Sequence, residues 1–422
     1  MSNSVIALLI FIFSYVFFVL FPAKRTVFAV GASLLIVLTG ALTWQEAFVA
    51  VNWNVMGIFV GTLFVADIFL DSRMPAYIAE SIVNRTQTIA WAILALCALT
   101  GILSMFIENV ATVLIMAPIA LSLAKKLKID PRNMMIAIAI SSNLQGAATL
   151  IGDPPSMLLG GFAKMDFWDF FFYKGRPSIF FAIQAGALAS FIVLYFLFRK
   201  YHQETGQVTT EKITSLVPTL ILVALIVALA ASSFFDKEFS YMAGVICMVF
   251  GAVSLAWDKF VHKHPVRGTL KSLDWETTFF LVGIFIIVGS LTRNGWIESA
   301  AVYLSDFVGD DVFLAYTIMV FASVMLSAFI DNVPYLAAML PVAIGMANKL
   351  SIEPQLLLFG LLIGACLGGN ITPIGASANI VACGLLKKEG YDVAFGKFVQ
   401  IGLPYTIMAT LAAYIFVWLV WA

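Results

Sequence analysis

Charge is what this chain has least of. Asp, Glu, Lys and Arg make up only 11% of its 422 residues, against 62% hydrophobic residues, and no soluble globular domain is built that way. The formal net charge is zero, and no basic tract is long enough to hold nucleic acid. The three histidines, His202, His262 and His264, fall in hydrophilic connectors and read as solvated loop residues rather than metal ligands. The four cysteines, Cys97, Cys247, Cys366 and Cys383, lie in apolar segments without CxxC spacing, so they read as small core hydrophobes. The sequence offers no nucleophile–base pair, no cluster of metal ligands and no nucleotide-binding loop. An enzyme is therefore not expected, and neither is a cofactor.

What the chain has in abundance is apolar runs of about twenty residues, the length that crosses a hydrocarbon core as helix. The reading is an all-α polytopic membrane protein. Crossings are expected near 4–22, 27–48, 53–71, 133–163, 177–199, 216–235, 239–257, 276–293, 355–385 and 403–421. The run Val5–Phe21 has no basic flank and no small-x-small cleavage site, so it reads as a mature helix rather than a signal peptide. Long hydrophilic connectors occur at His202–Ser215 and Asp258–Ser272. The Phe-rich stretch Phe167–Tyr173 reads as an interfacial amphipathic segment, and Asp67 and Asp71 as interfacial acids.

One stretch occurs twice. Phe106-Ile107-Glu108-Asn109-Val110 returns as Phe329-Ile330-Asp331-Asn332-Val333 at an offset of 223, which also holds for Pro118/Pro341, Pro131/Pro354, Thr149/Thr372 and Gly152/Gly375. A gapless internal repeat means two copies of one structural unit. The expected organisation is a first repeat over 1–200, a cytoplasmic linker at 201–215 and a second repeat over 216–422. Each repeat holds five crossings and one re-entrant hairpin, at 88–127 and 312–349, with broken helices at 133–163 and 355–385. The descending arm Ala111–Ala124 reads as too short to span.

Five crossings per copy turn the second copy upside down. Placing the N-terminus outside puts most of the 24 Lys and Arg inside, as the positive-inside rule asks, although Lys164, Lys174 and Arg176 oppose it. The first hairpin then opens to the cytoplasm and the second to the outside.

The chemistry is expected where backbone breaks at depth. Ala147–Ser156 and Gly368–Asn379 interrupt long apolar segments with glycine and proline at matching places in the two copies. Paired breaks of this kind point to a transporter's binding site. Three carboxylates, Glu108, Asp153 and Asp331, are placed at the same depth, where an ionised group must be paired, protonated or in contact with an ion. These are the expected proton-coupling residues. No Lys or Arg reads as lying at that depth, so protons, a bound cation, helix N-termini and the amides of Asn109, Asn143, Asn332 and Asn370 are the expected partners. The acids are also well placed to cap the second helix of each hairpin. Ser156, Ser377 and Asn379 are candidate polar lining.

The strings "ENVATVLIMAPIALSLAKKLKIDPR", "GAATLIGDPPSMLLG", "IDNVPYLAAMLPV" and "LGACLGGNITPIGASANIV" resemble the ArsB/NhaD branch of the ion transporter superfamily over about residues 50–400. That branch holds arsenite efflux pumps, sodium/proton antiporters and the melanosomal P protein. The resemblance implies inverted repeats, a scaffold part and a transport part in each half, elevator-type movement and a homodimer. It assigns the site to Glu108, Asn109, Thr112, Thr149, Asp153, Asp331, Asn332, Asn370, Thr372, Ser377 and Asn379. The pattern departs from its antiporter members at Gln145 and Ser156, and Ile371-Thr372-Pro373 is closer to arsenite pumps.

The expected function is secondary transport of a small inorganic ion in exchange for protons across the cytoplasmic membrane. Arsenite or antimonite efflux stands level with sodium/proton antiport, and an arsenite pump would imply a soluble ATPase partner. The expected partners are otherwise the ion, protons and membrane lipid, with no nucleic acid and no resident metal beyond a transported sodium. The alternatives are a sodium-coupled citrate or dicarboxylate transporter and a passive channel.

Overall fold

In the computed structural model, residues 2–204, 210–236, 239–262, 268, 270–271 and 273–422 are described. Expectations for His264 and for the middle of the 201–215 linker lie outside them. Helices dominate: α1 (Asn3–Leu20), α2 (Arg25–Leu38), α3 (Trp44–Ala50), α4 (Trp53–Asp71), α5 (Met74–Arg85), α6 (Ile89–Ser104), α7 (Asn109–Leu127), α8 (Arg132–Gly146), α9 (Pro154–Ala163) and α10 (Ile179–Phe198) form the first half. The second half has α11 (Val217–Ser232), α12 (Met242–Trp257), α13 (Trp275–Arg293), α14 (Trp296–Val308), α15 (Val312–Ser327), α16 (Asn332–Lys349), α17 (Pro354–Gly368), α18 (Ser377–Lys388) and α19 (Phe395–Trp421). Among the described residues, eight helices are long and apolar enough to cross a membrane, or nine with the bent pair α14–α15 taken as one span.

The centre of the molecule is α8 and α17. Residues Met134–Gly146 and Gln355–Gly368 are buried on every face, as expected of helices surrounded by other helices. Helices α1, α10, α11 and α19 stand at the periphery, and their exposed Leu, Phe and Val side chains suit a lipid surround.

The repeat is visible in hydrogen bonds. Thr149 Oγ1 donates to the Met105 carbonyl, and Thr372 Oγ1 donates to the Ala328 carbonyl at 2.5 Å. Ile129 N bonds to Ala124 O at 3.0 Å, and Ile352 N to Ala347 O at 3.0 Å. Lys128 and Ser351 both take positive φ after the hairpin helix. Each of these pairs keeps the 223 offset, so the sequence repeat is a repeat of local backbone geometry.

Several elements differ from the sequence reading or add to it. The expected crossing at 27–48 breaks after Leu38, because the Thr43 side chain and Glu46 form a capping box that starts a new helix, α3, at Trp44. Helices α5 and α14 lie between the expected crossings and the hairpins, where the sequence reading places no element. They are amphipathic helices that precede each hairpin after a left-handed residue, Arg73 in one and Gly295 in the other. The amphipathic segment Phe167–Tyr173 mixes exposed Trp168 and Phe172 with buried Phe167 and Phe170. It is one 3-10 turn followed by a two-stranded ribbon, β1 (Phe172–Tyr173) with β2 (Arg176–Pro177), closed by Lys174 and Gly175, both at positive φ. Helix α7 has 19 residues rather than 14, because Glu108 caps it right at the hairpin tip and Pro118 is accommodated inside it. Its length of roughly 28 Å is therefore no argument for re-entry; the position of its tip has to carry that.

Helices α4 and α12 make the most extensive helix contact. Gly57-x-x-x-Gly61 on α4 meets Gly244 and Gly251 on α12, the small-residue approach common between membrane helices. A Cβ on Gly61 would stand 2.2 Å from the Cys247 carbonyl carbon. Gly61→Val is expected to cost ~3 kcal/mol, read as a lower midpoint of thermal unfolding in detergent. An unchanged midpoint would mean that the two helices do not approach this closely.

Candidate ion-binding cavity

Four helix starts from the hairpins and the breaks converge on one cavity of about 210 Å³. Two come from the hairpins. Glu108 caps α7, its Oε2 accepting from Ala111 N at 2.9 Å, and Asp331 caps α16, its Oδ1 accepting from Val333 N at 3.0 Å. The third is the break after α8. Asp153 caps α9, its Oδ1 accepting from Ser156 N at 3.0 Å and from Ser156 Oγ at 2.8 Å. The fourth is the break after α17, where Ala376 replaces the acid and α18 begins without a side-chain cap. These caps follow from the residue types, since Asp and Glu satisfy free N–H groups and lie favourably against the helix dipole.

Of the thirteen residues singled out from sequence, seven line this cavity: Glu108, Asn109, Asn143, Asp153, Asp331, Asn332 and Ser377. The other six stand behind it and hold the breaks in shape. Thr112 Oγ1 donates to the Ile107 carbonyl inside the first tip. Thr149 and Thr372 tie the two breaks to the hairpins. Ser156 Oγ reaches the Gly146 carbonyl, and Asn379 Nδ2 reaches the equivalent Gly369 carbonyl at 2.9 Å and Thr372 O at 2.9 Å. Asn370 is fully buried and accepts from Asn143 Nδ2 at 2.9 Å, while its own Nδ2 has no hydrogen-bond partner.

Asn143 bridges the two breaks. Its Nδ2 donates to both Asn370 Oδ1 and Asn379 Oδ1, each at 2.9 Å, so a residue of the first copy is oriented by the break of the second. Asn109 plays a matching part within the first copy. Its Oδ1 accepts from Ser104 Oγ at 2.6 Å, and its Nδ2 lies 3.4 Å from Asp153 Oδ2. The hairpin tip and the broken helix are thus held to one another by amide and hydroxyl groups.

One expectation fails here. A basic group does reach the acids: Arg25 forms an ion pair with Asp331 through Nη1 and Oδ2. It starts α2, and its guanidinium lies 4.9 Å from the Phe280 ring centroid on α13. Asp274, Glu276 and Thr277 at the start of α13 also line the cavity and escaped the sequence reading. They are brought in by the docking of α2 on α13, where Thr26 Oγ1 donates to Glu276 O at 3.0 Å. A faint signal existed. A cation in the first turn of a helix opposes the dipole, which suggests a compensating acid nearby.

The lining therefore carries five carboxylates, Glu108, Asp153, Asp274, Glu276 and Asp331, and one guanidinium. A larger groove of about 800 Å³ between α4 and α12, lined by Trp53, Tyr241 and Met248 among others, holds no acid. Among the described residues no group of three or more His, Cys, Asp and Glu is arranged to hold a resident metal.

Paired helix breaks, capped hairpin tips and a small polar cavity inside an all-helical, multi-span chain define a membrane transporter rather than an enzyme. The chain belongs to the family described as "Citrate transporter" (CitMHS), which it matches over residues 15–364 and again over 264–422. It is 25% identical over 436 residues to an uncharacterized transporter of Mycobacterium tuberculosis, covering 99% of this chain and 98% of that one. It is 27% identical to an uncharacterized transporter of Synechocystis, covering 93% and 92%. The P protein of Mus musculus is 25% identical over 85% of this chain, which spans 53% of that longer protein. In fold the chain is similar to the Alcanivorax borkumensis YdaH transporter, with a TM-score of 0.60 and 14% identity over 91% of this chain and 87% of that one. Neisseria gonorrhoeae MtrF, of a class of antimetabolite efflux pumps, aligns with a TM-score of 0.57 and 15% identity over 91% and 83%. The P-protein kinship expected from the motifs is thus present, within a family described by a different substrate.

Proposed function

We propose that this chain is a secondary active transporter of a small inorganic ion, exchanged for protons across the cytoplasmic membrane at the cavity between the hairpin tips. The observation that carries the reading is the balance of five carboxylates against one guanidinium around about 210 Å³. That volume lies below the roughly 300–1,000 Å³ of pockets for drug-sized ligands. Acids crowded at this depth need protons or cations to be neutral. Glu108 and Asp153, with the amides of Asn109 and Asn143, supply hard oxygen ligands for sodium, and proton exchange runs through Glu108, Asp153 and Asp331.

Arsenite, held as a neutral hydroxide by amides and hydroxyls, belongs to the same reading and would bring a soluble ATPase as partner. The N-terminus outside, a homodimer and elevator-type movement complete the proposal. Membrane lipid is the surrounding partner.

A second reading has a specific observation behind it. The family's description and the presence of Arg25 in the same cavity as the uncapped start of α18 favour a carboxylate of the citrate or dicarboxylate type, bound together with a cation.

A thermal-unfolding panel on the purified protein separates the readings. It takes sodium, lithium, arsenite, antimonite, citrate and succinate at two pH values, with flux in proteoliposomes for each ligand that stabilises. Stabilisation of several degrees by an inorganic ion alone, with flux that dissipates a pH gradient, is the expected result. Stabilisation by citrate or succinate only when sodium is present selects the second reading. Flux far above transporter turnover and insensitive to a counter-ion gradient would replace both with a channel.

A further inference from the structure

The two hairpin tips are equivalent in backbone and unequal in charge. Glu108 and Asp331 sit at the same place in the repeat, and each caps its own hairpin helix. Among the described residues the ion pairs include one to Asp331 and none to Glu108. The cation at Asp331 is built into the chain. Arg25 belongs to α2, and the helix that corresponds to α2 in the second repeat, α12, contains no Lys or Arg. Among the described residues, the first tip therefore has no counterpart of Arg25.

Arg25 is also held in place from outside the cavity. Its guanidinium packs over the fully buried Phe280 ring, and Phe280 in turn meets Phe18 of α1 with ring centroids 5.3 Å apart. Tyr15 of α1 donates to the Pro334 carbonyl at 2.6 Å, one turn into the helix that Asp331 caps. Helices α1 and α2 thus grip the second tip at two points, one of them charged. A long flexible cation is converted into a fixed one, which is what a specific ion pair needs to offset its entropy cost.

We infer that Arg25 is a tethered substitute for an ion. It fills at Asp331 the position that a mobile cation fills at Glu108, so the pair of pseudo-equivalent tips has one loadable cation site instead of two. Arg25 is then a specificity-determining residue that sets how many cations the cavity takes. This rests on the reading of the cavity as an ion site, and it concerns occupancy rather than flux.

The test is thermal unfolding of the full-length protein in detergent, titrated with sodium chloride and with magnesium chloride. N-methyl-glucamine chloride holds ionic strength constant. Arg25→Gln removes the tethered charge and leaves Asp331 bare. The expected result is a lower midpoint in N-methyl-glucamine that recovers, saturably, with sodium or magnesium, by clearly more than the single-site response of the unaltered protein. Arg25→Lys supplies its own cation and is expected to lack the new response. The Arg25→Gln/Asp331→Asn pair removes both charges and is expected to lack it too. Should Arg25→Gln not fold, Asp331→Asn keeps Arg25 on Phe280 and leaves the guanidinium bare. That variant is expected to gain stabilisation by sulfate over gluconate at equal ionic strength.

A new cation response that survives in the Arg25→Gln/Asp331→Asn pair overturns the inference. So does an Arg25→Gln protein weakened equally in every medium, since Arg25 would then act only through packing on Phe280. Failure of transport in proteoliposomes, with these responses intact, would count against the transporter reading and leave the substituted ion standing.

Discussion

Glu108→Gln is expected to lower proton-coupled flux in proteoliposomes to the background of empty vesicles, a loss of tenfold or more, while the protein stays folded. The substitution is nearly isosteric, and the Gln carbonyl can still accept from Ala111 N, so the cap of α7 survives. What disappears is the charge. Glu108 is the hairpin acid without a basic partner among the described residues, and it borders the same cavity as Asp153, whose carboxylate is already committed to Ser156 and Asn109. Removing the acid that has no side-chain partner removes both the ligand for a cation and the group that must exchange a proton for it. Asp331→Asn is not an equivalent experiment, because it leaves Arg25 unpaired in the cavity. Full flux in Glu108→Gln at matched reconstitution would end the assignment of this acid to ion coupling.

Gly152→Val and Gly375→Val are expected to abolish flux by destroying the breaks themselves. A Cβ on Gly152 would stand 2.3 Å from the Gly146 carbonyl oxygen and 2.9 Å from the Ser104 carbonyl oxygen. On Gly375 it would stand 2.6 Å from the Gly369 carbonyl oxygen. The chain folds back so tightly after α8 and α17 that only hydrogen fits, and the neighbouring atoms are backbone, which cannot swing aside. Each change is expected to cost ~3 kcal/mol or more, read as a lower unfolding midpoint and a loss of monodisperse protein on size exclusion. Gly384, on α18 with nothing within 4 Å of an added Cβ, is the control. Gly384→Ala is expected to leave the midpoint unchanged or raise it slightly, as Ala is the better helix former. Similar damage at Gly384 and Gly152 would show that close approach at the breaks is not the cause.

Both predictions rest on features of unequal legibility. The breaks were readable because glycine and proline cannot be hidden in an apolar helix, and because the same disruption recurs 223 residues on. Glu108, Asp153 and Asp331 were readable because an acid stands out against leucine and alanine, and all three prove to be helix caps facing one cavity. The division of labour among their polar neighbours was not readable. Thr149, Thr372 and Asn379 carry the same kinds of hydroxyl and amide group as Asn109, Asn143 and Ser377, yet the former hold backbone and the latter face the cavity. Which way a hydroxyl or amide turns depends on the carbonyl that happens to lie within reach, and no periodicity records that. Helices α5 and α14 were missed for a related reason. Their amphipathic pattern is short and flanked by apolar runs long enough to dominate any reading by length.

What the sequence determined by itself was everything that depends on composition along the chain: membrane residence, two copies of one unit, the position of each break and the acids beside it. What only the tertiary structure decided was charge balance. Arg25 stands 306 residues from Asp331 and reads as a loop cation, and Asp274 and Glu276 read as the start of an ordinary crossing. The docking of α1, α2 and α13 against the second hairpin turns them into neighbours of the site. Local pattern reports which segments are apolar and where they stop. It cannot report which two stopping points meet, because that is settled by how the helices pack around α8 and α17.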